Sequence, residues 1–325
     1  MYGSVIPLPV TFVFVGEFPR RRPSSNGQAF IVREVPPMKR LRGFPEAGFM
    51  LAFLIVFGGI PSSAAGKARI ERTSDSGTVT MAQLVEEIRG TRVVFVGENH
   101  GNRVHHRTQL DVIRSLREAG VPVAIGLEMF HSKSQDSLDD WVSDKIRESD
   151  FVKVFDENWS GNYWAAYRDI FEYARVQDVP LIGLNVERKV VRQVSRGGFA
   201  SADRGDFPPI PDVTCDTGEK YRGILRTAMG NHEGKEAFVR FCEAQMLWDA
   251  SMAWNLIDFA EKNPDHVVVV MAGSFHSWKH GIPERVRTQS GGSLPFRVIL
   301  PAGGEDPISA ALTSEEADYL VRSGA

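Results

Sequence analysis

Cysteine is nearly absent: Cys215 and Cys242 are the two in 325 residues, so at most one disulfide can form within the chain. Several chemical signatures are missing outright. No His-Glu-x-x-His helix, no nucleophile-elbow serine and no Gly-rich phosphate loop occurs, which excludes the usual metalloprotease, elbow-serine hydrolase and P-loop chemistries. Charge of one sign is lacking too. With 38 basic against 41 acidic residues and a net charge of −3, nothing answers a phosphate backbone, and no nucleic-acid partner is expected. No internal repeat is found. What is present is 42% hydrophobic residues, enough for a sizeable core.

The first part of the chain differs in composition from the rest and is set aside before the fold is read. Residues 1–37 are irregular and rich in Pro and Arg. From Met38 the order is that of a secretory signal: basic Lys39, Arg40 and Arg42, an apolar run from Phe49 to Ile60, and small residues at Ala64 and Ala65. The apolar run falls short of the roughly 20 residues a membrane span needs, so cleavage near Ala65 is expected over a membrane anchor. A start assigned too far upstream would explain why the signal is internal. The competing reading is a disordered tail ahead of a single-pass anchor. Membrane contact is expected only through an uncleaved signal.

Both cysteines lie after the expected cleavage point, where an oxidising compartment permits a bridge. Cys242, however, falls beside Phe238 and Phe241 on the apolar side of a helix, the setting of an unpaired core cysteine. That setting favours the unpaired form.

Beyond residue 70 short β-branched runs alternate with longer amphipathic stretches, the pattern of βαβ units around a mostly parallel sheet flanked by helices. Strands are expected at Arg92–Val96, Val123–Leu127, Leu181–Leu184, Val267–Met271 and Phe296–Leu300, all continuous apolar runs suited to burial on both faces. Helices are expected over 80–89, 103–118, 133–146, 163–177, 187–195 and 235–262, with Thr80 and Gln83 forming a capping box. Residues 197–220, with Gly, Asp, Pro and Ser and little periodicity, read as a surface excursion or lid and not as a domain boundary. The division is then a linker at 66–77, one α/β domain over 78–302 and a tail at 303–325.

Ligands of parallel sheets bind beyond the carboxyl ends of the strands. Here those ends carry Glu98 and His100, Glu128 with His131, Asn185 with Glu187 and Arg188, and His276. Ionisable groups at the edge of apolar strands need a ligand, a metal or one another. Two helices add to them. His106 and Gln109 share a face with Leu110, Ile113 and Leu116, while Gln245 and Asp249 lie in a stripe with Phe238, Phe241, Met252, Leu256 and Phe259. An inward Asp249 requires a cation, for which Arg188 or a histidine is available. Gly97 and Gly273 read as turn residues that swing the loop off its strand. As a metal set, Glu98, His100, Glu128 and His276 would suit zinc, manganese or iron.

In these residues the chain resembles the ChaN-like family of haem-binding uptake proteins, within the Tiki superfamily that includes TraB-like proteins and is similar to erythromycin esterases. The resemblance runs through Gly97-Glu98-Asn99-His100 with His105, His106 and Gln109, Gly126-Leu127-Glu128-Met129-Phe130 with Gln135, and Trp159 with Tyr167. It continues through Asn185 with Arg188, then Gln245, Asp249, Met252 and Ala253, to Gly273-Ser274-Phe275-His276 and Gly281-Ile282-Pro283. It covers roughly residues 80–290.

The resemblance implies an exported protein that binds haem or iron and is often a homodimer. It also implies a metal-dependent hydrolytic alternative, with His100, Glu128 and His276 in place and Glu98 or Glu128 as base. Lipoprotein relatives carry a cysteine after the signal, but residues 62–65 here are Ser and Ala, so a periplasmic or secreted form without a lipid anchor is expected. For haem iron, Tyr163, Tyr167 and Tyr221 stand beside the histidines as axial candidates.

Overall fold

A computed structural model of the chain describes residues 69–159, 163–229, 234–303 and 312–322. The segment 1–37 and the stretch 38–65 read as a secretory signal lie outside the described residues. In chain order the elements begin with β1 (Arg69–Arg72), β2 (Thr78–Val79), α1 (Met81–Ile88), β3 (Val93–Glu98), α2 (Arg103–Glu118) and β4 (Val123–His131). There follow α3 (Gln135–Val142), α4 (Glu148–Asn158), α5 (Trp164–Val176), β5 (Leu181–Asn185), α6 (Arg188–Gly197) and α7 (Glu219–Met229). The series closes with α8 (Lys235–Lys262), β6 (Val267–Gly273), α9 (Ser274–Ser277), α10 (Ile282–Gln289), β7 (Phe296–Ala302) and β8 (Tyr319–Arg322).

The strands form a single eight-stranded sheet in the order β2-β1-β8-β7-β3-β6-β4-β5. From β8 to β5 every pairing is parallel, and β1 runs antiparallel to both β2 and β8. The continuous apolar runs are explained by burial on both faces. Val94, Val96, Ile125, Leu127, Val269 and Met271 pack under α1 to α5, while the alternate residues Val93, Phe95, Ala124, Val268, Val270 and Ala272 pack under α8 and α10. Each fully buried valine contributes about 1.5–3 kcal/mol, so a charge in place of Val269 would break the centre of the sheet.

Local signals set the helix ends. Thr80 and Gln83 form the capping box: the Thr80 hydroxyl accepts from the Gln83 amide at 3.2 Å, and Gln83 Oε1 accepts from the Thr80 amide at 2.9 Å. Asn102 caps α2 by accepting from the Val104 amide at 2.9 Å.

The sheet extends further than the expected domain of 78–302. β1 lies in the segment read as a linker and β8 in the segment read as a tail, each too short to stand out until its partner is known. The apolar residues of α4, α7 and α10 also form helices that the sequence reading left unassigned.

The cysteines are a further correction, since Cys215 and Cys242 are bonded, with Cα atoms 5.4 Å apart. Cys242 does sit in an apolar cluster, with Tyr221, Leu225, Phe238 and Met246, but Cys215 packs against the same cluster. Burial and pairing are therefore compatible. The excursion at 197–220 tucks Phe199, Phe207 and Ile210 against Val190 and Val194 of α6.

Candidate functional site

The helices after β3 and β4 pack on one face of the sheet and those after β6 on the other, so the carboxyl ends of these three strands open between diverging connections. Strand register does the rest. β6 lies between β3 and β4, and Glu98 stands opposite Gly273. Gly273 in turn donates its amide to Glu128 Oε2 at 2.6 Å. A side chain at Gly273 would meet the His100 ring at 3.2 Å and Glu128 Oε2 at 3.6 Å, so this glycine admits close approach. Gly97 does the same, since a Cβ there would lie 2.6 Å from Leu300. Both glycines are strand residues packed tightly from the side, not the turn residues their isolation suggests.

Two imidazole–carboxylate pairs flank Glu128. In the first, His100 Nδ1 lies 2.8 Å from Glu98 Oε1. Glu98 is fully buried and every oxygen is engaged: Oε1 also accepts from the Tyr167 hydroxyl, and Oε2 accepts from Gln109 Nε2 at 2.8 Å and lies 3.2 Å from His106 Nδ1. In the second, His276 Nδ1 lies 2.6 Å from Asp249 Oδ1, and Asp249 Oδ2 accepts from the Tyr221 hydroxyl at 2.7 Å. His276 Nε2 faces Glu128 Oε1 at 3.8 Å. A carboxylate on Nδ1 fixes the ring orientation and leaves Nε2 as the outward atom of each pair.

The electrostatics follow from this packing. Burial opposes ionisation of Glu98, but hydrogen bonds from His100 and His106 outweigh it and hold the carboxyl well below its ordinary range. Burial lowers His100, yet Glu98 and Glu128 raise it overall. At His276 burial is likewise overcome, chiefly by Asp249 and Glu128, and the pKa is raised to about 9. Tyr167 and Tyr221 are pushed well above 10 by burial and by the carboxylates they bond.

The remaining expected residues surround this network. Asn185 donates to the Glu128 carbonyl at 2.9 Å, which ties the end of β5 to β4. Arg188 places its guanidinium 5.5 Å from the centre of the Trp159 ring, and Trp159 stands edge-on to His100 at 4.8 Å. Gln245 is buried on α8 one turn before Asp249. Of the two cations offered to Asp249, His276 takes the place. His105 accepts from the Asn99 amide at 2.9 Å, and burial pushes it down to about 4, so it is neutral and outside the network.

Two expectations need revision. Among the described residues no three His, Cys, Asp or Glu side chains are disposed to hold a metal ion. Glu98 is the reason within the expected set of Glu98, His100, Glu128 and His276, because its oxygens are saturated by protein donors. Tyr167 and Tyr221 are also removed as axial candidates, since each is buried with its hydroxyl donated to a carboxylate. Tyr163 remains at the start of α5, its ring against Gly101, whose φ of +77° suits glycine and whose missing side chain admits the ring. Reading a phenol as the partner of Glu98 was beyond the sequence, because Tyr167 lies on an apolar helix face with Ile170, Phe171 and Ala174.

Residues 84–286 match the family described as "Haem-binding uptake, Tiki superfamily, ChaN". The chain is similar to a solved structure of ChaN from Campylobacter jejuni, described as showing cofacial haem binding, at 19% identity and a TM-score of 0.63, over 79% of this chain and 97% of that one. It is also similar to the type III effector HopBA1 at 12% identity and a TM-score of 0.46, over 81% and 98% of the two chains. An erythromycin esterase in its open conformation gives 12% identity and a TM-score of 0.44, over 78% and 82%. No curated protein matches the chain.

Proposed function

This chain belongs to the ChaN family of haem-binding uptake proteins in the Tiki superfamily, and from that premise we propose that it is an exported protein of haem or iron uptake. In this reading the porphyrin lies at the carboxyl ends of β3, β4 and β6. The observation that carries the reading is the pair of imidazole–carboxylate couples at that rim, of which His100 has the more accessible ring, at 29% exposure against 9% for His276.

The donor chemistry fits a haem. An imidazole held through Nδ1 by a carboxylate is a well-prepared iron ligand, and Trp159 beside it offers apolar surface. His100 and Tyr163 are the two groups we assign to the iron, with Arg188 placed for a propionate. Bound haem would supply the iron centre; the chain's own part is to orient His100 through Glu98 and to cover one porphyrin face. The Campylobacter protein is described as binding haem cofacially, and haems facing one another call for facing sites, so a homodimer is part of the proposal. The disulfide supports export, because such bonds persist in oxidising compartments. Among the described residues no helix is long and apolar enough to cross a membrane.

Titration of the purified protein with hemin tests this reading. A saturable Soret shift is expected, altered in position by either His100→Ala or Tyr163→Phe according to which residue binds iron. Absence of a saturable shift in the unsubstituted protein would overturn the proposal.

A second reading has one observation in its favour. An imidazole backed by a carboxylate is also the arrangement of a general base, and hydrolysis by His100, Glu128 and His276 would use it. A screen of ester and peptide substrates decides the matter, and turnover that persists in His100→Ala would eliminate this use of the site.

A further inference from the structure

A separate cavity of about 270 Å³ opens between the turn after β4, the start of α6, residues 205–209 and α8. It shares no lining residue with the network around Glu128. Phe207, Pro208 and Trp254 give it apolar surface, and Lys133, Glu187 and Asp206 give it charge. Lys189, beside the lining and not part of it, brings the cluster to two cations against two carboxylates. Lys133 Nζ lies 2.6 Å from Glu187 and 3.8 Å from Asp206, and Lys189 Nζ lies 3.1 Å and 3.6 Å from the same two carboxylates. His131, also in the lining, adds no charge, because burial holds its pKa below the ordinary value.

The wall formed by the excursion is well supported. Asp203 accepts from the Gly205 amide at 2.9 Å, the Arg204 guanidinium lies 4.7 Å from the Phe199 ring centre and 5.6 Å from that of Phe207, and the Cys215–Cys242 bond ties the excursion to α8. Partly exposed ion pairs such as those of Lys133 and Lys189 are each worth about 1 kcal/mol or less. A ligand bringing both an ammonium and a carboxylate can therefore replace them at little cost. A ligand of one charge would leave two like-charged side chains without counter-ions. The volume lies below the roughly 300–1,000 Å³ of pockets for drug-sized molecules, which points to a small occupant.

We propose that this cavity binds a small zwitterion with an apolar or aromatic side chain, the chemical class of free α-amino acids. The ammonium sits on Glu187 and Asp206, the carboxylate on Lys133, and the side chain on Trp254 and Phe207. The proposal is independent of the haem reading and is tested without hemin.

Calorimetric titration of the purified protein with L-phenylalanine, phenethylamine and 3-phenylpropionate, and with L-leucine as a second amino acid, supplies the test. Saturable binding of L-phenylalanine is expected, with each singly charged analogue about tenfold weaker. Glu187→Gln, a substitution at a partly exposed position, should weaken L-phenylalanine and phenethylamine about tenfold, while 3-phenylpropionate, which no longer competes with Glu187 for Lys133, should bind no more weakly than before. Trp254→Ala should weaken all three. Failure of both L-phenylalanine and L-leucine to bind would overturn the proposal, as would 3-phenylpropionate binding as tightly as L-phenylalanine, or a Glu187→Gln protein that binds L-phenylalanine normally.

Discussion

Asp249 and His276 show how much one buried pair can govern. Burial alone would lower the His276 pKa, but Asp249 at 2.6 Å and Glu128 at 3.8 Å raise it from 6.5 to about 9. A histidine with a raised folded-state value contributes stability that is complete below about pH 6.5 and is lost as pH climbs through about 9. The gap corresponds to about 3 kcal/mol. Thermal unfolding of the native protein should therefore show a falling midpoint between pH 7 and pH 10. Asp249→Asn should lower the midpoint at pH 7 and flatten that decline; equal slopes in the two proteins would show that the pair does not carry the effect. The inward position of Asp249 and its need for a cation were legible in the sequence, as was the shared face of His106 and Gln109. The roles of Tyr167 and Tyr221 were not: the sequence offered both as axial candidates, and nothing in an apolar arc names a carboxylate partner. Their carboxylate partners lie 69 and 28 residues away in the chain.

At the scale of elements, α8 collects the most functions. Its buried side carries Gln245, Asp249, Met252 and Leu256, and Cys242 near its start holds the excursion through Cys215. The bond closes a loop of 27 residues, for which chain entropy gives a stabilisation of about 3.5 kcal/mol. Reduction, or the Cys215→Ser substitution, should lower the unfolding free energy by about 2–4 kcal/mol in urea titrations. It should also loosen Tyr221, which follows Cys215 closely and bonds Asp249, so the tyrosine should become more accessible to chemical labelling. An unchanged urea midpoint would mean that the excursion is held by its apolar contacts alone. Five of the six parallel strands were legible because burial on both faces demands unbroken apolar runs. α4 was harder, since Phe151 and Phe155 are its main buried residues within a polar sequence.

For the whole molecule the decisive feature is how distant parts of the chain meet. β1 pairs with β8 over Arg69–Arg72 and Tyr319–Arg322, and β8 in turn covers the edge of β7. Neither segment lies within the 84–286 stretch that matches the family, and neither could be read alone, since a strand of four residues has no signal without its partner. Removal of residues 304–325 would expose the β7 edge and strip Tyr319, Leu320 and Val321 from the core. At about 1.5–3 kcal/mol for each buried side chain, the loss approaches the whole of a typical domain's stability of about 5–15 kcal/mol. The unpaired edge would also template aggregation. A chain ending at Gly303 should therefore accumulate as insoluble material or unfold without cooperativity in thermal scans. Substituting only the solvent-facing Arg322→Ala, which removes its 2.9 Å ion pair with Glu71, should shift the midpoint little, because a surface pair is worth about 1 kcal/mol or less. If the truncated chain instead melts sharply near the native midpoint, the terminal strands are ornaments on a core that folds within the family-matched segment and β7.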